Sequence, residues 1–265
     1  MDNPAYAPLA LTPLTARRQA MPAWKRSIDI LCGLLALPVL GLWVLLMTVV
    51  TWLVSPGPVF FRQERVGFRG RRFGMLKFRT MTVGADPTLH QNHFRQLVES
   101  NAPMVKLDTR GDARLIPGGW ILRASGLDEL PQILNVLGGD MSLVGPRPCL
   151  LSEFDQYLPA HRERVDAVPG LTGLWQVSGK NRTTFEEMVR LDIAYARRVS
   201  PLLDLKIILL TPWALAVQVS DTLMGRKSSA LAAPAGASHP PLKTALSASP
   251  WPPDLATPSN PGVNP

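Results

Sequence analysis

Asp128 and Glu129 are adjacent carboxylates in the segment Leu122-Arg123-Ala124-Ser125-Gly126-Leu127-Asp128-Glu129-Leu130-Pro131. An ionised carboxylate can act as a nucleophile, move a proton or hold Mg²⁺. Adjacent acids are equally the composition of a solvated surface pair, and spacing alone leaves both readings open. Pro131 has no backbone N–H and fits only the first turn of a helix. The sequence therefore predicts a helix that begins at Leu127 or Asp128, continues through Gln132–Leu137 and ends at Gly138-Gly139. Both carboxylates then sit at the positive end of the helix dipole, which favours negative charge.

Cations surround this pair in sequence. The chain of 265 residues carries a net charge of +8, which calls for anionic partners. Val59–Met81 alternates apolar and basic residues around Gly67, Gly70 and Gly74, predicting a short β-hairpin followed by a strand around Met75–Phe78. Such a basic surface can grip anionic lipid headgroups. It can also clamp a pyrophosphate, with arginine binding two oxygens at once and lysine acting as a point charge. Cys32 and Cys149 are too few for a disulfide framework, and Cys32 reads as a small buried hydrophobe. His90 and His93 have helical spacing but no further metal ligand beside them, so a polar helix face is the simpler reading.

The element that must hold this chemistry at a surface is the run Ile30–Val54, which contains no charged residue. Its length would cross a bilayer as a helix. Basic residues nevertheless flank both ends: Arg17, Arg18, Lys25 and Arg26 before it, and Arg62, Arg65, Arg69, Arg71, Arg72, Lys77 and Arg79 after it. Positive charge marks the cytoplasmic side, so both flanks ask for the same side. Pro38 offers a hinge for a helix that dips in and returns, while a straight span that tolerates Pro38 is the alternative. Asp29 reads as an interfacial salt-bridge partner of Lys25 and Arg26.

Four motifs occur in order: Arg65-Val66-Gly67…Lys77-Phe78-Arg79-Thr80-Met81; Leu127-Asp128-Glu129-Leu130-Pro131; Gly139-Asp140-Met141-Ser142-Leu143-Val144-Gly145-Pro146-Arg147-Pro148; and Pro169-Gly170-Leu171-Thr172-Gly173-Leu174-Trp175-Gln176-Val177-Ser178-Gly179. Together they resemble the bacterial sugar transferases, monotopic polyprenyl-phosphate phosphoglycosyl transferases, over roughly residues 25–210. The resemblance implies transfer of glucose 1-phosphate or galactose 1-phosphate from a UDP-sugar to undecaprenyl phosphate, with release of UMP. It makes Asp128 the nucleophile of a covalent phosphosugar intermediate and Glu129 its partner, with Mg²⁺ held by the pair. It assigns Lys77, Arg79, Arg123 and Arg147 to phosphate, Asp192 to an acidic position near the site, and Pro38 to the hinge of a re-entrant helix. The partners it implies are the UDP-sugar, undecaprenyl phosphate, the membrane, a second copy of the chain and downstream glycosyltransferases, with no nucleic acid. The implied location is the bacterial inner membrane, with the catalytic domain facing the cytoplasm at the first membrane step of exopolysaccharide, capsule or O-antigen assembly.

The expected fold class is α/β and membrane-associated (monotopic), a small catalytic domain with a hairpin and amphipathic interfacial helices. The expected organisation is a disordered extension at 1–22, a re-entrant helix at 23–54, the catalytic domain at 55–222 and a disordered tail, rich in Pro, Ala and Ser, at 223–265. Asp204–Val217 reads as an interfacial helix interrupted by Pro212, and Arg162, Glu163, Arg164 and Asp166 as solvated helix-face charges. Two rival readings stand beside this one: a glycosyltransferase that releases UDP, and a non-catalytic, membrane-anchored scaffold that binds polyanions. Carboxylates placed among arginines speak against the scaffold.

Overall fold

The computed structural model describes residues 21–85 and 112–231, together with 92, 96–97, 100 and 102–104 between them. His90 and His93 lie outside the described residues.

The apolar run forms one helix, α1 (Ala23–Val54), which continues through Pro38. At 1.5 Å per residue its 32 residues extend about 48 Å. Lys25, Asp29, Gly33, Leu40, Met47 and Thr51 are buried, and their spacing places them on one stripe along the whole helix. Leu31, Leu35, Leu42, Leu45, Trp52 and Leu53 are exposed. The polar end of the stripe is anchored inside the protein. Lys25 Nζ donates to Val144 O at 2.8 Å and to Asp204 Oδ2 at 2.5 Å. Asp29 Oδ1 accepts from Ser142 Oγ at 3.0 Å and from the Leu143 amide at 2.8 Å. Asp29 is therefore no interfacial salt-bridge partner: two short hydrogen bonds hold its carboxylate against the strand that begins at Ser142. Cys32 is only half-buried, at the edge of the stripe.

The predicted hairpin is β1 (Phe60–Val66) paired antiparallel with β2 (Arg72–Phe78), in a register running from Phe60 opposite Phe78 to Val66 opposite Arg72. Met75–Phe78 is thus the end of β2, not a separate strand. The tip closes through Arg69 and Gly70, both with positive φ (52° and 78°). After α2 (Gly119–Ser125) and a 3₁₀ turn at Leu127–Glu129 comes α3 (Gln132–Gly138). Helical φ/ψ angles at Leu130 and Pro131 join the turn to α3. Gly139, with φ +82°, ends α3. Asn135 on α3 completes the free edge of β2, its amide accepting from Leu76 N at 3.0 Å and donating to Gly74 O at 2.9 Å. Phe73, Met75, Val136 and Met141 seal that junction.

A second sheet pairs β3 (Ser142–Val144) in parallel with β4 (Gly170–Thr172). Here two of the sequence motifs interlock: Gly145 N donates to Thr172 O at 2.9 Å, and Gly170 N donates to Pro146 O at 2.9 Å. A Cβ on Gly145 or Gly170 would overlap backbone atoms of the opposing motif, so both glycines serve close approach of the chains. The short helix α4 (Leu151–Phe154) packs towards Val66 at the end of β1, and α5 (Leu174–Val177) packs with Val144 of β3, with a 3₁₀ stretch at Pro159–Asp166 between them in sequence. Helix α6 (Phe185–Arg197) starts at a capping box in which Thr184 Oγ1 accepts from Glu187 N and the Glu187 carboxylate accepts from Thr184 N.

Pro212 does not interrupt the last helix, α7 (Pro201–Leu231), which also passes the tail boundary expected at 222. Proline costs a helix one hydrogen bond. Just before it, Thr211 Oγ1 accepts or donates to Thr172 Oγ1 at 2.8 Å, which pins this part of α7 to β4. Buried Asp204, Ile207, Gln218 and Thr222 face the domain, while Leu202, Leu205, Leu209 and Trp213 are exposed. α1 and α7 are each long and apolar enough to cross a membrane.

Candidate active site

Gly126 sets the geometry. It ends α2 in the left-handed region, with φ +76°, and the chain turns at once into the 3₁₀ turn carrying Asp128 and Glu129. Glu129 N returns a bond to Gly126 O at 3.0 Å. Asp128 is buried, whereas the Glu129 side chain is one-third exposed (33%) and receives Lys77 Nζ on Oε1 at 2.8 Å. Adjacent carboxylates have thus been given different surroundings by one tight turn. Leu122 and Leu130 flank this turn and pack on Leu40, Met47 and Phe78, so the site rests directly on α1.

Lys77 and Arg65 share one face of the hairpin, because Phe61 opposite Lys77 and Arg65 opposite Phe73 are both odd positions of the register. They lie four residues apart along the strands, roughly 13 Å. At the far end Arg65 is buried, donating to Gln63 Oε1 at 2.7 Å and to Pro148 O at 3.2 Å. Burial, with the charge of Arg147 beside it, lowers its guanidinium to about 10, and Glu129 pulls the other way. Arg147 donates to both carboxylate oxygens of Glu153, at 2.9 and 3.4 Å. Glu153 is fully buried and also accepts from Leu150 N at 3.0 Å. Burial raises its carboxyl, but the charges of Arg147 and Arg65 and these hydrogen bonds outweigh burial and hold it below the usual carboxylate range. Arg147 keeps about a fifth of its side chain exposed (22%), so the cluster presents positive charge outward and keeps its counter-ion inside.

Arg79 and Asp192, also expected at the site, are directed elsewhere. Arg79 is buried, and its Nε, Nη1 and Nη2 donate to Pro58 O at 2.7 Å, Ser55 Oγ at 2.9 Å and Ser55 O. It brackets the exit from α1 against β1, and its guanidinium is directed at those carbonyls. Asp192 on α6 is fully buried against Arg164, whose guanidinium also reaches Tyr157 Oη at 2.6 Å and Arg147 O at 3.0 Å. Burial raises the Asp192 carboxyl to about 6, against the opposing charge of Arg164. Asp192 therefore supports the Pro146-Arg147-Pro148 segment through Arg164. Arg164 itself is no solvated helix-face charge, being only 1% exposed. Arg123 lies on the last turn of α2, half-buried and close enough to Asp112 to favour its charge.

Glu153 escapes the sequence reading because Leu151-Ser152-Glu153-Phe154 has the pattern of an ordinary exposed helix start. Only the fold brings it under Arg147. Among the described residues no three or more His, Cys, Asp or Glu side chains form a group that could cage a metal. Mg²⁺ commonly takes one or two carboxylates and completes its shell with substrate phosphates and water. Asp128 and Glu129 supply that number, and a soft or fully protein-bound metal does not fit them. The chemistry available is thus a buried carboxylate beside a lysine-paired one, with a guanidinium cluster on the same hairpin face and an apolar helix below.

The profile of the bacterial sugar transferases matches residues 20–218. The UDP-glucose:undecaprenyl-phosphate glucose-1-phosphate transferase of Caulobacter vibrioides is 42% identical over 202 residues, covering 73% of this chain and 70% of that protein. The exopolysaccharide production protein ExoY of Sinorhizobium fredii is 37% identical over 187 residues, covering 71% of this chain and 83% of ExoY. The galactosyl transferase CpsE of Streptococcus agalactiae is 40% identical over 188 residues, 71% of this chain, and the matched region spans only 41% of CpsE.

Proposed function

The chain belongs to the bacterial sugar transferase family, and on that premise we propose that it transfers a hexose 1-phosphate from a UDP-sugar to undecaprenyl phosphate at a membrane surface, releasing UMP. The observation that carries this reading is the position of Asp128 and Glu129, on a turn seated on α1 with Lys77 at 2.8 Å from Glu129. The Asp128 carboxylate attacks the sugar-proximal phosphorus and the P–O bond to UMP breaks, leaving an aspartyl phosphosugar. An oxygen of undecaprenyl phosphate then attacks the same phosphorus and frees the Asp128 carboxylate. Lys77 holds Glu129 in place beside the reacting phosphate, where Glu129 accepts the proton that a singly protonated undecaprenyl phosphate gives up as its oxygen attacks. Arg147 and Arg123 offer guanidinium groups to phosphate oxygens, which gain negative charge as each P–O bond breaks. Asp128 and Glu129 would hold Mg²⁺, which would supply positive charge against the phosphate oxygens.

The buried stripe from Lys25 to Thr51 favours a monotopic arrangement. A helix that touches the same domain at both of its ends lies along that domain, and both flanks then fall on one side of the membrane. Pro38 is exposed on the outer side of α1, so the helix bond it removes loosens the helix away from the domain and suits re-entry. The site faces the cytoplasm of the inner membrane, where nucleotide sugars are made. Relatives are named for both glucose and galactose, and either sugar suits this reading. The step would begin exopolysaccharide, capsule or O-antigen assembly and hand its product to downstream glycosyltransferases.

The test is the nucleotide released from UDP-glucose and UDP-galactose with undecaprenyl phosphate and Mg²⁺. UMP is expected, and none from Asp128→Asn. UDP as the product, or an undiminished Asp128→Asn enzyme, overturns the mechanism.

A further inference from the structure

Helix α2 is only seven residues long and ends one residue before the turn that presents Asp128. The last carbonyls of any helix lack partners within it. Here α7 supplies one. Gln218 Nε2 donates to Ala124 O at 2.8 Å and to Arg123 O at 3.3 Å, and the residue is only 5% exposed. One turn earlier on α7, Leu215 closes over Gly126, where even a Cβ would approach its Cδ2 to 3.3 Å. The backbone carbonyl of Gln218 accepts from Thr222 Oγ1 at 2.8 Å within α7. A neutral amide suits this place, because it donates twice without putting a positive charge on the chain that leads to the nucleophile.

We infer that Gln218 is a positioning residue for the Asp128–Glu129 turn. The inference rests on the reading of Asp128 as nucleophile. The amide fixes where α2 ends, Gly126 turns the chain from that fixed end, and Asp128 follows two residues later. The outer stripe of the same helix is Leu202, Leu205, Leu209 and Trp213, so the brace comes from an element whose other side is apolar.

The experiment compares wild type, Gln218→Leu and Gln218→Glu as full-length protein in lipid nanodiscs, by amide hydrogen exchange and by UMP-release kinetics. In Gln218→Leu the Glu129 and Leu130 amides should exchange about tenfold faster, as expected when one buried hydrogen bond is removed. Turnover should fall about tenfold or more with KM for the UDP-sugar unchanged, since a misplaced reacting group affects the chemical step. Gln218→Glu, able to donate only while protonated, should recover part of the activity relative to wild type as pH is lowered. Unchanged exchange at Glu129 and Leu130, or wild-type turnover in Gln218→Leu, overturns the inference. If Gln218→Leu does not fold, Gln218→Glu carries both measurements. A wild-type protein that releases no UMP would instead sink the functional reading, and the exchange measurement would still decide whether Gln218 holds the turn.

Discussion

Lys25 Nζ lies 2.5 Å from Asp204 Oδ2 and joins the first turn of one apolar helix to the first turn of the other. Tyr195 completes the contact, its hydroxyl donating to Asp204 Oδ1 at 2.7 Å while accepting from Lys25 at 3.0 Å. All three side chains are buried. Removing one partner leaves a charge without its counter-ion, which costs about 3–5 kcal/mol, whereas removing both is often neutral. Lys25→Met should therefore lower the melting temperature in detergent sharply, and Lys25→Met with Asp204→Leu should recover most of the loss. Equal melting of the two variants would contradict the pairing.

The Lys77–Glu129 pair is partly exposed, at 20% and 33% of the two side chains. Such pairs contribute at most about 1 kcal/mol to stability. A group that places charge at a reacting phosphate is worth far more in rate, commonly about 10²-fold. Lys77→Met should accordingly melt close to wild type and lose about two orders of magnitude in UMP release. A loss of stability with turnover intact would reverse the assignment.

Arg79 should behave in the opposite way. Its bonds to Ser55 and Pro58 are partly buried, and losing them costs about 1 kcal/mol. Arg79→Met should unfold at lower temperature, while the folded fraction keeps the wild-type KM for the UDP-sugar. A raised KM at unchanged stability would return Arg79 to the phosphate site.

Glu153 provides a dependence on pH. Its folded carboxyl titrates below its ordinary value of 4.5. A lowered carboxylate stabilises the folded state above the unfolded value and loses that contribution as pH falls through the folded one. The Glu153 contribution to stability should therefore be lost as pH falls below 4.5, and Glu153→Gln, already weaker at pH 7, should show a shallower slope below that pH. Parallel curves would rule out this origin.

The proposed monotopic arrangement predicts labelling from one side. With Cys32 replaced by serine, cysteines introduced at Ala23 and at Arg69 should react with an impermeant maleimide from the same face of oriented vesicles. Reaction from opposite faces would establish a straight span.

Much of the fold is legible in the residues themselves. The hairpin follows from alternation around Gly67 and Gly70, the length of α1 from an uninterrupted apolar run, and the start of the Asp128 turn from Pro131. These signals are local, because period and turn chemistry depend on neighbours in the chain. Pro212 misleads for the same reason: proline disfavours a helix locally, but packing of Asp204, Ile207, Gln218 and Thr222 against the domain stabilises α7 on both sides of it.

The order and content of the motifs around Asp128, Lys77 and Arg147 determined the family, and flanking charge at both ends of α1 already asked for one side of a membrane. Which cation lies beside Glu129 was a matter for the tertiary structure. Lys77 and Arg79 are two residues apart in one motif, yet the first meets Glu129 and the second binds the carbonyls after α1. Arg147 and Arg164 look alike in sequence, yet one is partly exposed over Glu153 and the other is sealed on Asp192. A sequence records the type of each charge, whereas its role depends on which partner lies within about 3 Å and how much water remains beside it. Both are set by segments as far apart as Lys25 and Asp204, and only the packed chain brings them together.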